Sequence, residues 1–403
     1  MTDVTALRAH WRLDPRITFL NHGSFGACPA PILELQRELR DRMEANPVRF
    51  FVSELGRLLD AARAELAAFV GGDPDELAFV SNATAGVNAV LRSLPLEPGD
   101  ELLTTSHTYN ACRNALAYVA EQAGARVVTA PVPFPLTDGG TIVDAVLAHV
   151  TPRTRLALVD HVTSPTGIVF PLERIVAALA ARGIDTLVDG AHGPGMVPVD
   201  VAAIGAAYYV GHGHKWLCAP KGAAFLHVRR DRQATVRPTV ISHGATAVQP
   251  GRSRFRLEFD WPGSIDPTPV LCLPAAIRFL GDLLPGGWNA LRARNRSLAL
   301  EARRLLCTAL ATPPPCPDDL IGALATVPLP DGPSLPPGTF GMLDPLQIAL
   351  FDRFGIEVLV GAFPAAPRRV LRVSAHAYNT RADYERLADA LRATVARDAP
   401  AGA

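Results

Sequence analysis

The chain has no excess of charge of either sign: 39 Lys and Arg residues balance 39 Asp and Glu residues. A surface of that kind lacks the basic footprint that nucleic acid or an anionic membrane requires, so neither is expected as a partner. It has no apolar run of about 18 residues, the minimum for a helix that crosses a bilayer. The opening Met1-Thr2-Asp3-Val4-Thr5-Ala6-Leu7 lacks the basic-then-apolar layout of a signal peptide. Cysteine is sparse. The six thiols, at 28, 112, 218, 272, 307 and 316, form no CxxC pair and have no ligand-like spacing. No metal site is therefore expected, and buried reduced thiols fit a cytoplasmic protein. Internal repeats and low-complexity segments are absent too. What remains is 403 residues, 48% apolar and 19% charged, an ordinary globular balance with room for one large domain or two smaller ones.

Short apolar runs alternate with helical patterns through the middle of the chain. Runs at 76–80, 101–105, 126–130, 156–160, 186–189, 207–210 and 223–228 read as strands. Helices are expected from about Thr84, from Cys112 to Ala120, from about Ile142, and from Leu172 to Ala181. Strands that are apolar throughout and alternate with helices predict a mostly parallel sheet covered on both faces, an α/β doubly wound domain over roughly 65–260. Helices at 274–284 and 288–311, strands near 323–327, 356–360 and 369–373, and a final helix from Arg381 to Ala396 suggest a smaller α+β domain. The expected division is an N-terminal segment, 1–64, with a helix from Pro31 to Glu44 that packs with the small domain; a large domain, 65–285; and a small C-terminal domain, 286–403. The Pro- and Gly-rich loop 328–341 is a candidate for the site entrance, and the tail 399–403 is expected to fray.

Chemistry concentrates where strands end. Leu187-Val188-Asp189-Gly190-Ala191-His192 puts a carboxylate at the carboxyl edge of the sheet, and Tyr209-Val210-Gly211-His212-Gly213-His214-Lys215-Trp216 puts a lysine after the next strand. That pair suits pyridoxal phosphate (PLP): an amine to bond the cofactor aldehyde, and a carboxylate to keep the pyridine nitrogen protonated so that the ring accepts electrons. Each residue has a plainer reading, Asp189 as an N-cap and Lys215 as a solvated charge. Gly190 and Gly193 would leave room for a planar ring, and His192 could reach a polar ring substituent. Ser81-Asn82-Ala83-Thr84-Ala85-Gly86 opens a helix and could hold a phosphate, or be simply a capped turn. His212 and His214 could donate to that phosphate or be satisfied structural histidines. In Ser106-His107-Thr108-Tyr109-Asn110 an imidazole or aromatic ring could lie over the cofactor. Arg372, inside an apolar strand, needs an anion: a substrate carboxylate or a structural salt bridge.

In that order the motifs resemble the class V aminotransferase family of fold-type I PLP enzymes, from about Phe19 to Leu391. The match is closer to its isopenicillin N epimerase-like branch. It is carried by Phe19-Leu20-Asn21-His22-Gly23-Ser24-Phe25-Gly26, Asn82-Ala83-Thr84, His161-Val162-Thr163-Ser164-Pro165-Thr166-Gly167, His214-Lys215-Trp216-Leu217 and Trp261-Pro262-Gly263-Ser264. The resemblance implies a large domain with a mainly parallel seven-stranded sheet, a smaller α+β C-terminal domain, PLP as cofactor, an amino-acid substrate, and a homodimer with shared sites. It makes Lys215 the cofactor-bonding base and Asp189 the pyridine-nitrogen partner. Ala83, Thr84, Thr108, Tyr109, Ser164, His192, His212, His214 and Ser264 are the further cofactor contacts, with Ser264 reaching a neighbouring subunit's phosphate. Arg372 and Asn21 bind the substrate. Two departures stand out. Thr108 falls where cysteine desulfurases place a histidine over the ring, so Tyr109 is assigned to that face with a catalytic role. The stretch Val360-Gly361-Ala362-Phe363 lacks those enzymes' nucleophilic cysteine, which argues against an enzyme-bound persulfide. The branch holds C–S lyases, epimerases and oxidative decarboxylating enzymes of specialised metabolism, including enzymes that process cysteine S-conjugates in lincosamide assembly. The implied reaction is cleavage of a cysteine S-conjugate or a decarboxylating or oxidative deamination, with epimerisation or transamination as alternatives.

Overall fold

The computed structural model describes residues 4–333 and 343–398, with side chains to Thr394. Residues 334–341 of the expected entrance loop, residue 342 and the tail 399–403 lie outside the described residues.

Seven strands form the central sheet: β1 (Leu77–Val80), β2 (Glu101–Thr105), β3 (Arg126–Ala130), β4 (Thr154–Asp160), β5 (Asp185–Gly190), β6 (Tyr208–His212) and β7 (Ala224–Val228). Their spatial order is β1-β7-β6-β5-β4-β2-β3. The pairs β3–β2–β4–β5–β6 are parallel, whereas β7 is antiparallel to both β6 and β1. Because β7 alone is reversed, β1 runs in the same sense as β2–β6. The segments that follow β1, β2, β4, β5 and β6 all emerge at one edge, and every strand-end motif is delivered there.

The apolar runs are explained by double-sided cover. Ala157, Val159 and Val188 join one core cluster, while their chain neighbours Leu156, Leu158 and Leu187 join another on the opposite face. Successive strand residues alternate faces, so a strand covered on both must be apolar at every position. The helices Ala83–Leu91 and Asn110–Ala123 follow β1 and β2; Asn82 caps the first by accepting from the Ala85 N–H at 2.8 Å.

A second, antiparallel sheet contains β8 (Leu324–Leu329), β9 (Leu359–Ala362) and β10 (Arg369–Ser374), with β10 in the centre. The helices Gly287–Ala309 and Arg381–Asp398 accompany it. The N-terminal segment does not stand apart: Thr18–Phe19 pairs with Ile356–Glu357, and Trp11 packs edge-on against Tyr378 and His376. Several helices have no counterpart in the sequence reading, among them Leu55–Val70, Arg254–Asp260 and Pro345–Phe354. The first runs unbroken across the 64/65 division. No single helix among the described residues is long and apolar enough to cross a membrane.

Candidate active site

Lys215 follows β6 in a turn that the N-terminal segment crosses closely. Gly26 has φ +70°, and a Cβ there would fall 2.2 Å from the His214 carbonyl oxygen, so only glycine fits. Nζ of Lys215 lies 3.0 Å from His192 Nε2, and the Trp216 indole N–H donates to His192 Nδ1 at 3.2 Å. Burial, then the Arg372 charge, lowers the Lys215 pKa to about 7. An amine with that pKa is in large part unprotonated near neutral pH, as aldehyde capture and proton abstraction require.

Asp189 is buried near the end of β5. Its Oδ1 accepts from the Ala191 N–H at 3.0 Å, and its Oδ2 from the Cys112 S–H at 3.1 Å. Beside it in register lies Asp160, at the end of β4. Asp160 accepts from the Thr108 hydroxyl at 3.1 Å. Burial, then the Asp189 charge, raises the Asp160 pKa well above the carboxylate range. A carboxyl whose pKa is raised by folding adds stability below its unfolded value, about 4, and that contribution is lost as the pH rises through the folded value. Asp160→Asn should therefore raise the melting temperature near pH 7 by roughly 2 °C or more, and raise it less near pH 4. Thermal melts at both pH values check this; a lower melting temperature at pH 7 would count against a strained carboxyl.

At the phosphate loop, the Ala83 N–H donates to His212 Nε2 at 2.7 Å, which puts the ring proton on Nδ1. That nitrogen is buried and has no partner among the described residues. It is a donor left over where the sequence implies an anion. His214 is committed at one end, Nδ1 to the Ala223 carbonyl at 2.9 Å. Burial comes first in holding both rings neutral, His212 near about 2 and His214 near about 4.

Arg372 occupies the centre of β10, 2% exposed. Nη1 donates to the Ser164 carbonyl at 2.5 Å and Nη2 to the Ser24 hydroxyl at 3.0 Å, while Nε has no partner. No carboxylate pairs with it among the described residues, so the structural salt bridge is not what holds it there. Burial lowers its pKa to about 10, which leaves it charged at neutral pH.

Several expected contacts fall elsewhere. Ser164 touches Arg372. Asn21 spends its amide on Glu357 and its carbonyl on the Ser24 hydroxyl, so it meets Arg372 only through Ser24. Thr108 is buried on Asp160 and Thr104. His107 is buried, with its ring nitrogens on Thr166 and the Val132 carbonyl. Gly190 and Gly193 make room for Tyr209: a Cβ at 190 would meet its ring at 2.1 Å, and one at 193 its hydroxyl oxygen at 2.3 Å. Tyr109 is 46% exposed and near enough to Asp189 and Arg372 to feel both charges; its hydroxyl makes no hydrogen bond among the described residues. Ser264 is exposed. Cys112, Ser24 and Asp160 had no assigned role. Ser24, within the Asn21–Gly26 motif, and Asp160, at the end of an apolar run as Asp189 is, carried a usable signal; Cys112 meets Asp189 through helix placement, which no local pattern encodes.

A family model described as aminotransferase class V matches residues 24–280. The chain belongs to that family. Isopenicillin N epimerase of Streptomyces clavuligerus is 38% identical, with 97% of this chain and 98% of that protein covered. Putative L-cysteine desulfhydrase 2 of Oryza sativa subsp. japonica is 31% identical, with 95% and 85% covered. Among solved structures, the cysteine desulfurase CsdA of Escherichia coli superposes with a TM-score of 0.78 at 24% identity, over 98% of this chain and 99% of that one. The fold is thus fold-type I. This class V aminotransferase homologue is a PLP-dependent enzyme, and the buried unpartnered His212 Nδ1 and the lowered Lys215 pKa fit that cofactor.

Proposed function

We propose that this enzyme removes the Cα proton of a cysteine S-conjugate and releases its sulfur, as a C–S lyase of specialised, antibiotic-related metabolism. A decarboxylation of the same substrate, or an oxidative deamination with dioxygen as the two-electron acceptor, belongs to the same reading. The observation that carries the substrate class is Arg372: a buried guanidinium in a central strand, without a carboxylate, next to the lysine whose charge it perturbs. An α-carboxylate would supply the missing anion and match the planar fork.

When bound, PLP supplies an electron sink for the pair left at Cα. Lys215 would bond its aldehyde, Asp189 its pyridine nitrogen, and His192 the ring-oxygen side. Ala83, Thr84, His212 and His214 would hold its phosphate, and Tyr109 would lie at the ring face. Arg372 fixes the substrate carboxylate, and Ser24 and Ser164 hold the guanidinium in place. The Lys215 amine takes the Cα proton. The Cβ–S bond then breaks with its electron pair on sulfur, and the Lys215 ammonium or the Tyr109 hydroxyl returns a proton to the thiolate. With water, an S-alkylcysteine yields a thiol, pyruvate and ammonia.

The enzyme is proposed to work as a cytoplasmic homodimer. Exposed Val240 and Ile265 edge a cavity of about 360 Å³ lined by Phe51, Phe259 and Trp261, which reaches Ser81 and Ala85 of the phosphate loop. A second copy seated there would bring its Ser264 towards that loop.

Epimerisation is the second reading. It is favoured by the 38% identity to the Streptomyces clavuligerus protein and by the free Tyr109 hydroxyl, a candidate second acid. The test is to mix holoenzyme with S-alkylcysteines in deuterated water and follow thiol, pyruvate, carbon dioxide and Cα deuterium together. Thiol and pyruvate in equal amounts are expected. Deuterium exchange with none of the three products would favour epimerisation, and conversion to a keto acid that retains sulfur would favour transamination.

A further inference from the structure

Trp216 directly follows the cofactor lysine, and its indole is buried at 2% exposure among Val162, Met196, Ala323 and Leu324. Its one polar atom, Nε1–H, donates to His192 Nδ1 at 3.2 Å. An indole nitrogen is a donor and never an acceptor. The His192 Nδ1 must therefore present its lone pair, and the ring proton must sit on Nε2. That nitrogen lies 3.0 Å from Lys215 Nζ. With Nε2 a donor, the contact is favourable only if Nζ accepts, which an amine does and an ammonium cannot.

From this geometry we infer that Trp216 is a positioning residue for the Cα proton transfer: its indole N–H locks His192 as the Nε2–H tautomer, which holds Lys215 as the free base. The buried surroundings agree. His192 is driven well below its ordinary pKa, first by burial and then by Lys215, so protonating Nδ1 as well does not relieve the constraint. The opposite tautomer would turn an Nε2 lone pair towards Lys215 and stabilise the ammonium, the form that neither captures an aldehyde nor takes a proton. The groups that face Lys215 and act on its charge are His192, Arg372, Asp189 and Cys112. Among those contacts the His192 ring can change from donor to acceptor without a change in charge, whereas the Cys112 S–H is already committed to Asp189.

The inference rests on Lys215 being the cofactor-bonding residue, and the experiment separates the two. Apoprotein is mixed with pyridoxal phosphate across a pH series, and the rate at which the visible band appears is read as a titration of Lys215. Wild type should show a midpoint near about 7. Trp216→Phe should raise the midpoint by about one unit, with capture several-fold slower at neutral pH and equal to wild type at high pH. Because the smaller ring could loosen the core, a second variant carries 3-benzothienylalanine at 216, which keeps the bicyclic shape and lacks the N–H; the same rise is expected. In a His192→Phe background, Trp216→Phe should no longer move the midpoint. ¹⁵N chemical shifts of His192 should report the Nε2–H tautomer in wild type and a mixture in Trp216→Phe. An unchanged midpoint in both 216 variants, or an equal shift in the His192→Phe background, overturns the inference. Wild-type protein that captures no pyridoxal phosphate overturns the cofactor assignment and this inference with it.

Discussion

Lys215→Ala will fold and yet have no covalent hold on its cofactor: the visible band of the holoenzyme disappears, and Cα exchange falls by about 10²- to 10⁴-fold, the usual worth of a positioned proton-transfer group. Folding should survive. Lys215 is a destabilised group whose burial, with Arg372 nearby, opposes its charge. Among the described residues its Nζ makes a hydrogen-bond contact only with His192. Absorbance spectra, melting curves and deuterium exchange on the same preparation check all three parts. A variant that keeps both the band and the exchange would place the chemistry on another residue.

Arg372→Met gives the second large effect, and it has two signs. Removing a buried charge that binds an anion costs about 2–5 kcal/mol, so kcat/KM for an amino acid should fall by roughly 30- to 4,000-fold. Arg372→Lys should recover little of this, because an ammonium cannot replace the planar fork held by Ser24 and Ser164. The substrate-free protein, by contrast, should become more stable with methionine there, since an unpaired buried guanidinium opposes folding and a thioether of similar length does not. A structural arginine would behave otherwise: its loss would lower the melting temperature and leave kcat/KM of the surviving fold little changed. Steady-state kinetics and melts on Arg372→Met and Arg372→Lys distinguish the two roles.

These effects come from residues that could be picked out early, and the physical reasons are local. The middle of β4 and of β5 is apolar at successive positions because both faces are covered, so a run such as Leu156–Val159 has no competing explanation. Lys215, Asp189 and Arg372 stand out because charge at the end or in the middle of such a run demands a partner. The helix Leu55–Val70 was not legible in the same way. Its Arg57, Asp60, Arg63 and Glu65 look like solvated charges, but Arg63 is buried and paired with Asp260, on another unexpected helix, Arg254–Asp260. Ion pairs between elements distant in sequence leave no periodic trace. For the same reason the sequence could nominate Ser164, Thr108 and Asn21 as polar residues of the right motifs and still not say which neighbour each one faces. Ser164 faces Arg372, Thr108 faces Asp160, and Asn21 faces Ser24. The placement of Cys112 on Asp189 depends on how a helix packs against a strand, so it too appears only in three dimensions.

The central claim is that Lys215 moves the Cα proton of an amino acid whose carboxylate lies on Arg372. It is tested most directly by exchange of that proton for deuterium in S-methyl-L-cysteine, followed for wild type, Lys215→Ala and Arg372→Met, each loaded with pyridoxal phosphate. The account predicts rapid exchange in wild type. Exchange should be nearly lost in Lys215→Ala at any substrate concentration, and in Arg372→Met it should be partly restored by high substrate. Rapid exchange in Lys215→Ala, or wild-type exchange at low substrate in Arg372→Met, would contradict it.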